Sequence, residues 1–197
     1  MNEPILMQNQ EGALNQDTFA QQEFINLKNK FGLKYAIETG TCLGYTADWL
    51  CENYEKVSTI EINENYLNFA LKRLNKRDNV VVYIGSSENQ LLQMINELPE
   101  KEKIFIFLDA HWGQHCPLKD ELRQIKESGV KPVIAIHDFV VPNHPELGYD
   151  SIGEQPFNYE WLKSDFDAIY GDNGYDYHYN SESTGAKRGI IYLTPKN

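Results

Sequence analysis

The chain has 197 residues and a formal net charge of −11 at pH 7, with 18 Lys and Arg against 29 Asp and Glu. This length suffices for one domain with a sizeable core, and we expect residues 1–197 to form a single domain. The acidic balance argues against a nucleic acid or a membrane surface as the main partner, because both require a basic face on the protein.

Five apolar runs rich in β-branched and aromatic residues predict strands that are buried on both faces. They cover residues 34–39, 56–62, 79–85, 103–109 and 131–138. Apolar residues at helical spacing predict five helices. One covers 45–54, and the others begin near Asp17 or Thr18, Asn63, Ser87 and Pro117. Ser87 and Gln90 resemble a capping box at the start of their helix. Strands that alternate with helices predict a parallel sheet with right-handed crossovers.

The last third of the chain has a different pattern. A loop over 139–157 leads to a predicted helix over 158–170 and two strands, 175–180 and 189–194. Because only about eight residues join these strands, they predict an antiparallel hairpin. The whole pattern predicts an α/β, Rossmann-like fold: a seven-stranded, mostly parallel sheet with helices on both faces and an antiparallel hairpin at its end.

The remaining compositional features favour a cytoplasmic protein. No apolar run is long enough to cross a bilayer, and the first twelve residues lack the basic and then apolar layout of a secretion signal. Cys42, Cys51 and Cys116 are too few and too scattered for a disulfide framework, so we expect reduced thiols.

A glycine-containing loop follows the first predicted strand, from Glu38 to Gly44. Its G-x-x-x-G spacing is not the dinucleotide fingerprint, and an acid ahead of the glycines suits an ammonium group better than a pyrophosphate. Glu61 ends the second strand about 20 residues further on, where an acid can bind the two hydroxyls of a ribose. Each feature has a structural alternative, a tight turn or a solvated acid, but together they indicate a nucleoside with a cationic amino-acid tail. S-adenosylmethionine (SAM) fits that description.

Five blocks of the chain resemble the class I SAM-dependent methyltransferases, and more narrowly their catechol O-methyltransferase-like branch. The blocks are 36–50, 59–74, 81–95, 104–112 and 135–142, in the order and at the spacing of that family. The resemblance implies transfer of a methyl group from SAM to the hydroxyl of a small-molecule acceptor, of a sugar or natural-product type.

The resemblance also implies a role for each residue of the cofactor site. The methionine end would lie on Glu38, Gly40, Thr41 and Gly44, with its carboxylate at the helix start formed by Tyr45 and Thr46. The ribose would bind Glu61, the adenine would pack on Ile62 and meet Ser87 and Glu88, and the sulfonium would lie by Asp109, Ala110, His111 and Trp112.

The resemblance to the family is less complete at the catalytic residues. Asp109 and Asp138 stand where the family has two aspartate ligands of a magnesium ion, but Phe139 stands where it has an asparagine, and no lysine lies near Trp112. Three alternatives stay open. His111 or His137 acts as general base; Asp109, His137 and Asp138 hold a divalent cation such as Mg or Mn; or the histidines only make ordinary loop contacts. A zinc site at His111 and His115 is disfavoured by the glycine and proline around them.

Acceptor recognition is expected from three variable segments, 1–17, 139–157 and the hairpin turn 180–188. Lys187 and Arg188 in that turn would meet an anionic part of the acceptor or would simply be exposed charges. The aromatic candidates for walls of an acceptor pocket are Phe139, Tyr149, Phe157 and Tyr159. The oligomeric state, including a homodimer, stays open.

Three other functions fit parts of the sequence. A short-chain dehydrogenase would explain Thr39-Gly40-x-x-x-Gly44 and Tyr159-x-x-x-Lys163, but Thr46 replaces its third glycine. A catalytically silent protein of the same fold, acting as an interaction module, would explain the missing lysine and asparagine. A nucleic-acid methyltransferase would need a basic face and a motif for base amines, and the sequence shows neither.

Overall fold

The computed structural model describes residues 11–111 and 115–196. The strands are β1 (Tyr35–Thr39), β2 (Lys56–Glu61), β3 (Val80–Ile84), β4 (Ile104–Leu108), β5 (Val133–His137), β6 (Ser151–Ile152), β7 (Gln155–Pro156), β8 (Tyr175–Tyr179) and β9 (Ile190–Pro195). Within these residues, seven strands form one sheet in the order β3-β2-β1-β4-β5-β9-β8. The first five are parallel, and β9 is antiparallel to both β5 and β8. The predicted α/β fold and its terminal hairpin are therefore confirmed.

Helices cover both faces of the sheet. They are α1 (Thr18–Phe31), α2 (Tyr45–Asn53), α3 (Glu64–Leu74), α4 (Ser87–Asn96), α5 (Leu118–Ser128) and α6 (Tyr159–Tyr170), with short 3₁₀ turns at Ala13–Gln16 and Lys101–Lys103. One core joins α1, α2 and α3 to the sheet through residues such as Phe24, Leu50 and Phe105. The other joins α4, α5 and α6 through residues such as Leu91 and Phe166. In the described part of the chain, no helix has both the length and the apolarity needed to cross a membrane.

Side-chain caps fix where three of these helices, α1, α3 and α6, begin. Asp17 accepts hydrogen bonds from the backbone N–H of Phe19 and Ala20, and Asn63 caps α3 in the same way. The predicted capping box of Ser87 and Gln90 is wrong. Gln90 folds back over Gly85 and donates to the carbonyl of Ile84 at 2.7 Å, so its side chain satisfies the end of β3 instead.

The strand order determines where a ligand can bind. From β1 the chain continues through β2 and β3 on one side of the sheet, whereas β4 and β5 lie on the other side. Parallel sheets bind ligands beyond the carboxyl ends of the strands at such a reversal. The residues that follow β1, β2, β4 and β5 should therefore form the site.

Candidate active site

A cavity of about 220 Å³ lies beyond the ends of β1, β2 and β4. Its lining residues are Gly40, Cys42, Ile60, Glu61, Ile62, Asn63, Tyr66, Gly85, Ser86, Ser87, Asp109, Ala110, His111 and His115. Half of them belong to the predicted cofactor site. The others come from the segments next to those residues, and Tyr66 reaches the cavity from the first turn of α3.

Two glycines bring the elements around the cavity close together. Gly40 has a φ of 83°, and a Cβ there would overlap the carbonyl oxygen of Asp109, so only glycine lets the ends of β1 and β4 approach this closely. Gly44 has a φ of 77°, and a Cβ there would lie 3.1 Å from the Cα of Ala70. Gly40 therefore shapes the cavity, whereas Gly44 packs the start of α2 on α3.

Glu61 holds the cavity's edge in place. Its two carboxylate oxygens accept hydrogen bonds from the backbone N–H of Cys42 at 2.7 Å and of Asn63 at 2.8 Å. Burial raises the pKa of Glu61, although these backbone hydrogen bonds oppose the shift. Each oxygen keeps lone-pair capacity for a ligand hydroxyl. Next to it, Ile62 is 57% exposed and offers an apolar wall.

Glu38 lies beneath the glycine loop and does not line the cavity. Its carboxylate accepts a 2.6 Å hydrogen bond from Thr59, whose hydroxyl is 2.6 Å from that of Thr41. Complete burial raises the pKa of Glu38 well above its usual range, and the bond from Thr59 opposes this only in part. In the structure, Glu38 thus supports the loop through two threonine hydroxyls.

Other predicted cofactor residues also lie away from the cavity. The guanidinium carbon of Arg73 lies 3.5 Å from the centre of the Tyr45 ring. The hydroxyl of Thr46 accepts a 3.0 Å hydrogen bond from the backbone N–H of Leu14. Glu88, in the first turn of α4, does not line the cavity but lies 4.0 Å from His115, which does. Trp112 is outside the described residues.

Asp109, His137 and Asp138 meet where β4 and β5 end. His137 is buried, and its Nδ1 lies 3.1 Å from Asp109 Oδ1 and 3.3 Å from Asp138 Oδ1. Neither contact has the alignment of a hydrogen bond, so this buried nitrogen lacks a hydrogen-bond partner among the described residues. The donor atoms of all three side chains lie within 4.8 Å of one another, which is the spacing of a metal-ligand set.

A second set shares Asp138 and was not anticipated from the sequence. His111 Nε2 lies 3.0 Å from Asp138 Oδ2 and 3.9 Å from Asp150 Oδ2. Arg188 donates from Nε to the other oxygen of Asp138 and from Nη2 to the other oxygen of Asp150. For this guanidinium the sequence left open an anionic acceptor or an exposed turn charge, and in the structure it pairs with two acids of the chain.

The charges of this cluster are strongly coupled. Burial works against protonation of His137, but the charges of Asp109 and Asp138 outweigh it and hold the pKa of His137 well above its usual range. Burial likewise opposes protonation of His111, yet its hydrogen bond to Asp138 raises the pKa. Although burial disfavours the ionised form of Asp138, the His137 charge and the bond from His111 hold its pKa well below the usual range. The acids around the two histidines therefore favour the protonated form of both imidazoles.

The predicted aromatic walls of an acceptor pocket are mostly not available. Phe139 and Phe157 are fully buried, and Phe157 packs its ring against His111 at 4.8 Å. Tyr159 bonds to the hydroxyl of Tyr175 at 2.9 Å, in a separate polar groove that also contains Lys163. Tyr149 is exposed. The Tyr159 and Lys163 pair of the dehydrogenase alternative thus lies outside the cavity.

Comparison with known proteins shows likeness at the level of structure. No family model matches the chain, and neither does any curated protein. Among solved structures, the O-methyltransferase TomG from Streptomyces achromogenes, involved in tomaymycin synthesis and in complex with SAM, matches with a TM-score of 0.62 at 16% identity, over 90% of this chain and 80% of TomG. The chain has the fold of that enzyme. An O-methyltransferase from Bacillus cereus in complex with S-adenosylhomocysteine (SAH) matches with a TM-score of 0.60 at 21% identity, over 90% of this chain and 81% of the other.

Proposed function

We propose that this chain is a SAM-dependent O-methyltransferase that acts on a hydroxyl of a small molecule, of a sugar or natural-product type. One observation carries the proposal. One cavity is lined by a buried acid, Glu61, by the exposed apolar side chain of Ile62 next to it, and by Asp109. The fold is that of the two O-methyltransferases bound to SAM or SAH.

The cavity can hold each part of a sulfonium nucleoside. Glu61 would accept hydrogen bonds from the ribose hydroxyls with its remaining lone pairs, and Ile62 would pack on the adenine ring. The hydroxyls of Ser86 and Ser87 line the same cavity and are buried without a hydrogen-bond partner in the described residues. A buried hydroxyl in this state is costly unless a ligand or water satisfies it, and the adenine edge offers such a partner.

Methyl transfer is an in-line displacement, so the protein mainly aligns the acceptor oxygen, the methyl group and the sulfur. Asp109 lines the cavity, and its side chain is 27% exposed, so it can face both the sulfonium and the acceptor. His111 also lines the cavity and is held by Asp138, which places it to accept the hydroxyl proton once its own proton has left.

The cluster also fits a divalent cation such as Mg or Mn. The buried His137 Nδ1, which faces two carboxylates without a hydrogen bond, is the donor that a cation held by Asp109, His137 and Asp138 would use. Such a cation would lower the pKa of the acceptor hydroxyl. The free cysteines Cys42, Cys51 and Cys116 fit a cytoplasmic enzyme.

The test has two stages. Calorimetry with SAH checks the cofactor site, and transfer of radiolabelled methyl from SAM is then measured over sugars, catechols and polyketide-type alcohols, with and without Mg. We expect SAH binding and labelling of at least one hydroxylated acceptor. Absence of SAH binding would refute the proposal, whereas SAH binding without labelling of any acceptor would support the silent interaction protein instead.

A further inference from the structure

We propose that the cluster beyond β4 and β5 binds two divalent cations that share Asp138. The first position is the set of Asp109, His137 and Asp138 described above. The second is formed by His111, Asp138 and Asp150, and it recruits the loop over 139–157 to the centre. The inference concerns cation binding alone and does not depend on whether the chain transfers methyl groups.

The second position has the dimensions of a ligand set. The donor atoms of its three residues lie within 4.8 Å of one another, with His111 Nε2 at 3.0 Å from Asp138 Oδ2 and 3.9 Å from Asp150 Oδ2. Around an octahedral ion with bonds near 2.1 Å, neighbouring ligands are about 3.0 Å apart and opposite ligands about 4.2 Å apart. Small side-chain shifts therefore suffice to bring all three onto one ion.

The two carboxylates are held so that their second oxygens converge. Arg188 donates to Oδ1 of Asp138 and to Oδ1 of Asp150, which leaves Oδ2 of each facing His111. The backbone N–H of Asp150 also donates to the carbonyl of Asp138 at 2.9 Å. A hydrogen bond of this kind to a non-ligating carboxylate oxygen, here Oδ1 of Asp150, orients a metal ligand.

The loop is shaped around this guanidinium. A Cβ at Gly148 would lie 2.7 Å from Arg188 Nη1, so a larger residue there would push the arginine away. Gly148 also donates to the carbonyl of Lys187 and accepts from Gly189, both at 2.8 Å. Asp150 is thus kept beside Asp138 by contacts that involve no cation, and the position exists before an ion arrives.

A buried imidazole beside the shared carboxylate provides an independent indication of a cation in the first position. His137 Nδ1, 3.3 Å from Asp138 Oδ1, is a fully buried nitrogen without a hydrogen-bond partner in the described residues. The cluster contains three carboxylates, of which Asp138 and Asp150 pair with the single guanidinium of Arg188. Because Asp138 is shared, a cation in one position repels a cation in the other, so the second should bind more weakly than the first.

The experiment is a manganese titration of the purified full chain, with neither SAM nor acceptor. Bound Mn²⁺ is counted by equilibrium dialysis and metal analysis, and low-temperature electron paramagnetic resonance reports whether two ions are coupled through a shared ligand. We expect two Mn²⁺ per chain, the second at least about tenfold weaker, and a coupled spectrum at saturation.

Two variants separate the positions. Asp150→Asn should bind one Mn²⁺ with an uncoupled spectrum, because Asp150 belongs only to the second set, and its amide oxygen can still accept from Arg188. Asp109→Asn should also bind one ion, now in the second set. Asp172→Asn, an exposed acid away from the cluster, should keep both ions. Saturation at one Mn²⁺ in the unmodified chain, or two coupled ions in a folded Asp150→Asn variant, would overturn the proposal. SAH calorimetry on the same samples shows independently whether the cofactor site is intact.

Discussion

The substitution Glu61→Gln tests the cofactor site most directly. The change keeps the side chain's shape, but one oxygen that now accepts a backbone N–H at 2.7 or 2.8 Å becomes an N–H₂ group, and the negative charge is lost. A hydrogen bond to a charged group contributes about 1.5–3 kcal/mol. The loss of that strength toward the ribose should raise the Kd for SAH about 10- to 150-fold.

The same change should affect folding less than binding. Glu61 is buried with a raised pKa, so burying its charge already costs free energy, and a neutral amide removes that cost while it loses one backbone bond. We therefore expect the free energy of unfolding to change by less than about 2 kcal/mol. The assay is calorimetry with SAH at pH 7.5, with Glu64→Gln as the matched control because Glu64 is an exposed acid at the start of α3. A folded Glu61→Gln variant that binds SAH as tightly as the control would show that Glu61 does not hold the ribose.

Three further predictions concern the scaffold around the site. Gly40→Ala should lower the free energy of unfolding in urea by about 2–4 kcal/mol and weaken SAH binding. The reason is that residue 40 has a positive φ and that the added methyl group would overlap the carbonyl of Asp109. A variant as stable as the wild type would show that the loop can move aside. Glu38→Gln should become progressively more stable than the wild type as the pH rises above about 4.5, by up to about 1.4 kcal/mol per pH unit. The sign follows from the raised pKa of Glu38: the folded chain keeps a proton that the unfolded chain has lost, and this stabilisation disappears as the pH rises through the folded pKa. Urea titrations from pH 4 to 8 measure the difference, which a flat profile would contradict. Asp17→Ala should lower the free energy of unfolding by about 2–4 kcal/mol, because Asp17 caps α1 and also accepts a 2.6 Å hydrogen bond from Ser183. Thermal melting of this variant, with Glu11→Ala as the control, measures the loss of stability.

Periodicity and short-range chemistry predicted most of the architecture. The strands, the hairpin and the caps at Asp17 and Asn63 depend on neighbours along the chain, and they appear as expected. The Ser87–Gln90 box failed because a second local acceptor, the carbonyl of Ile84, competed for the glutamine. The short pair β6 and β7, within the segment predicted as a loop over 139–157, was missed because strands of two residues are too short for a periodic pattern.

The site was only partly predictable, for two physical reasons. Every residue of β1 is buried, so the pattern contains no alternation that could tell whether Glu38 points to the cavity or beneath it. The pairing of Arg188 with Asp138 and Asp150 joins residues 50 and 38 positions apart, through a loop without a periodic pattern. Only the folded chain brings those groups together.

The position of β9 also determines when the centre can form. This strand lies between β5 and β8 in the sheet. Arg188 stands two residues before its first residue, whereas Asp138 directly follows β5, about fifty residues earlier in the chain. During synthesis, the acids at the end of β5 leave the ribosome well before the arginine that neutralises them, and contacts of such sequence separation form late in folding. A nascent chain in which the cavity beyond β1, β2 and β4 has formed would therefore still lack the pairing of Arg188 with Asp138 and Asp150 until β9 has docked.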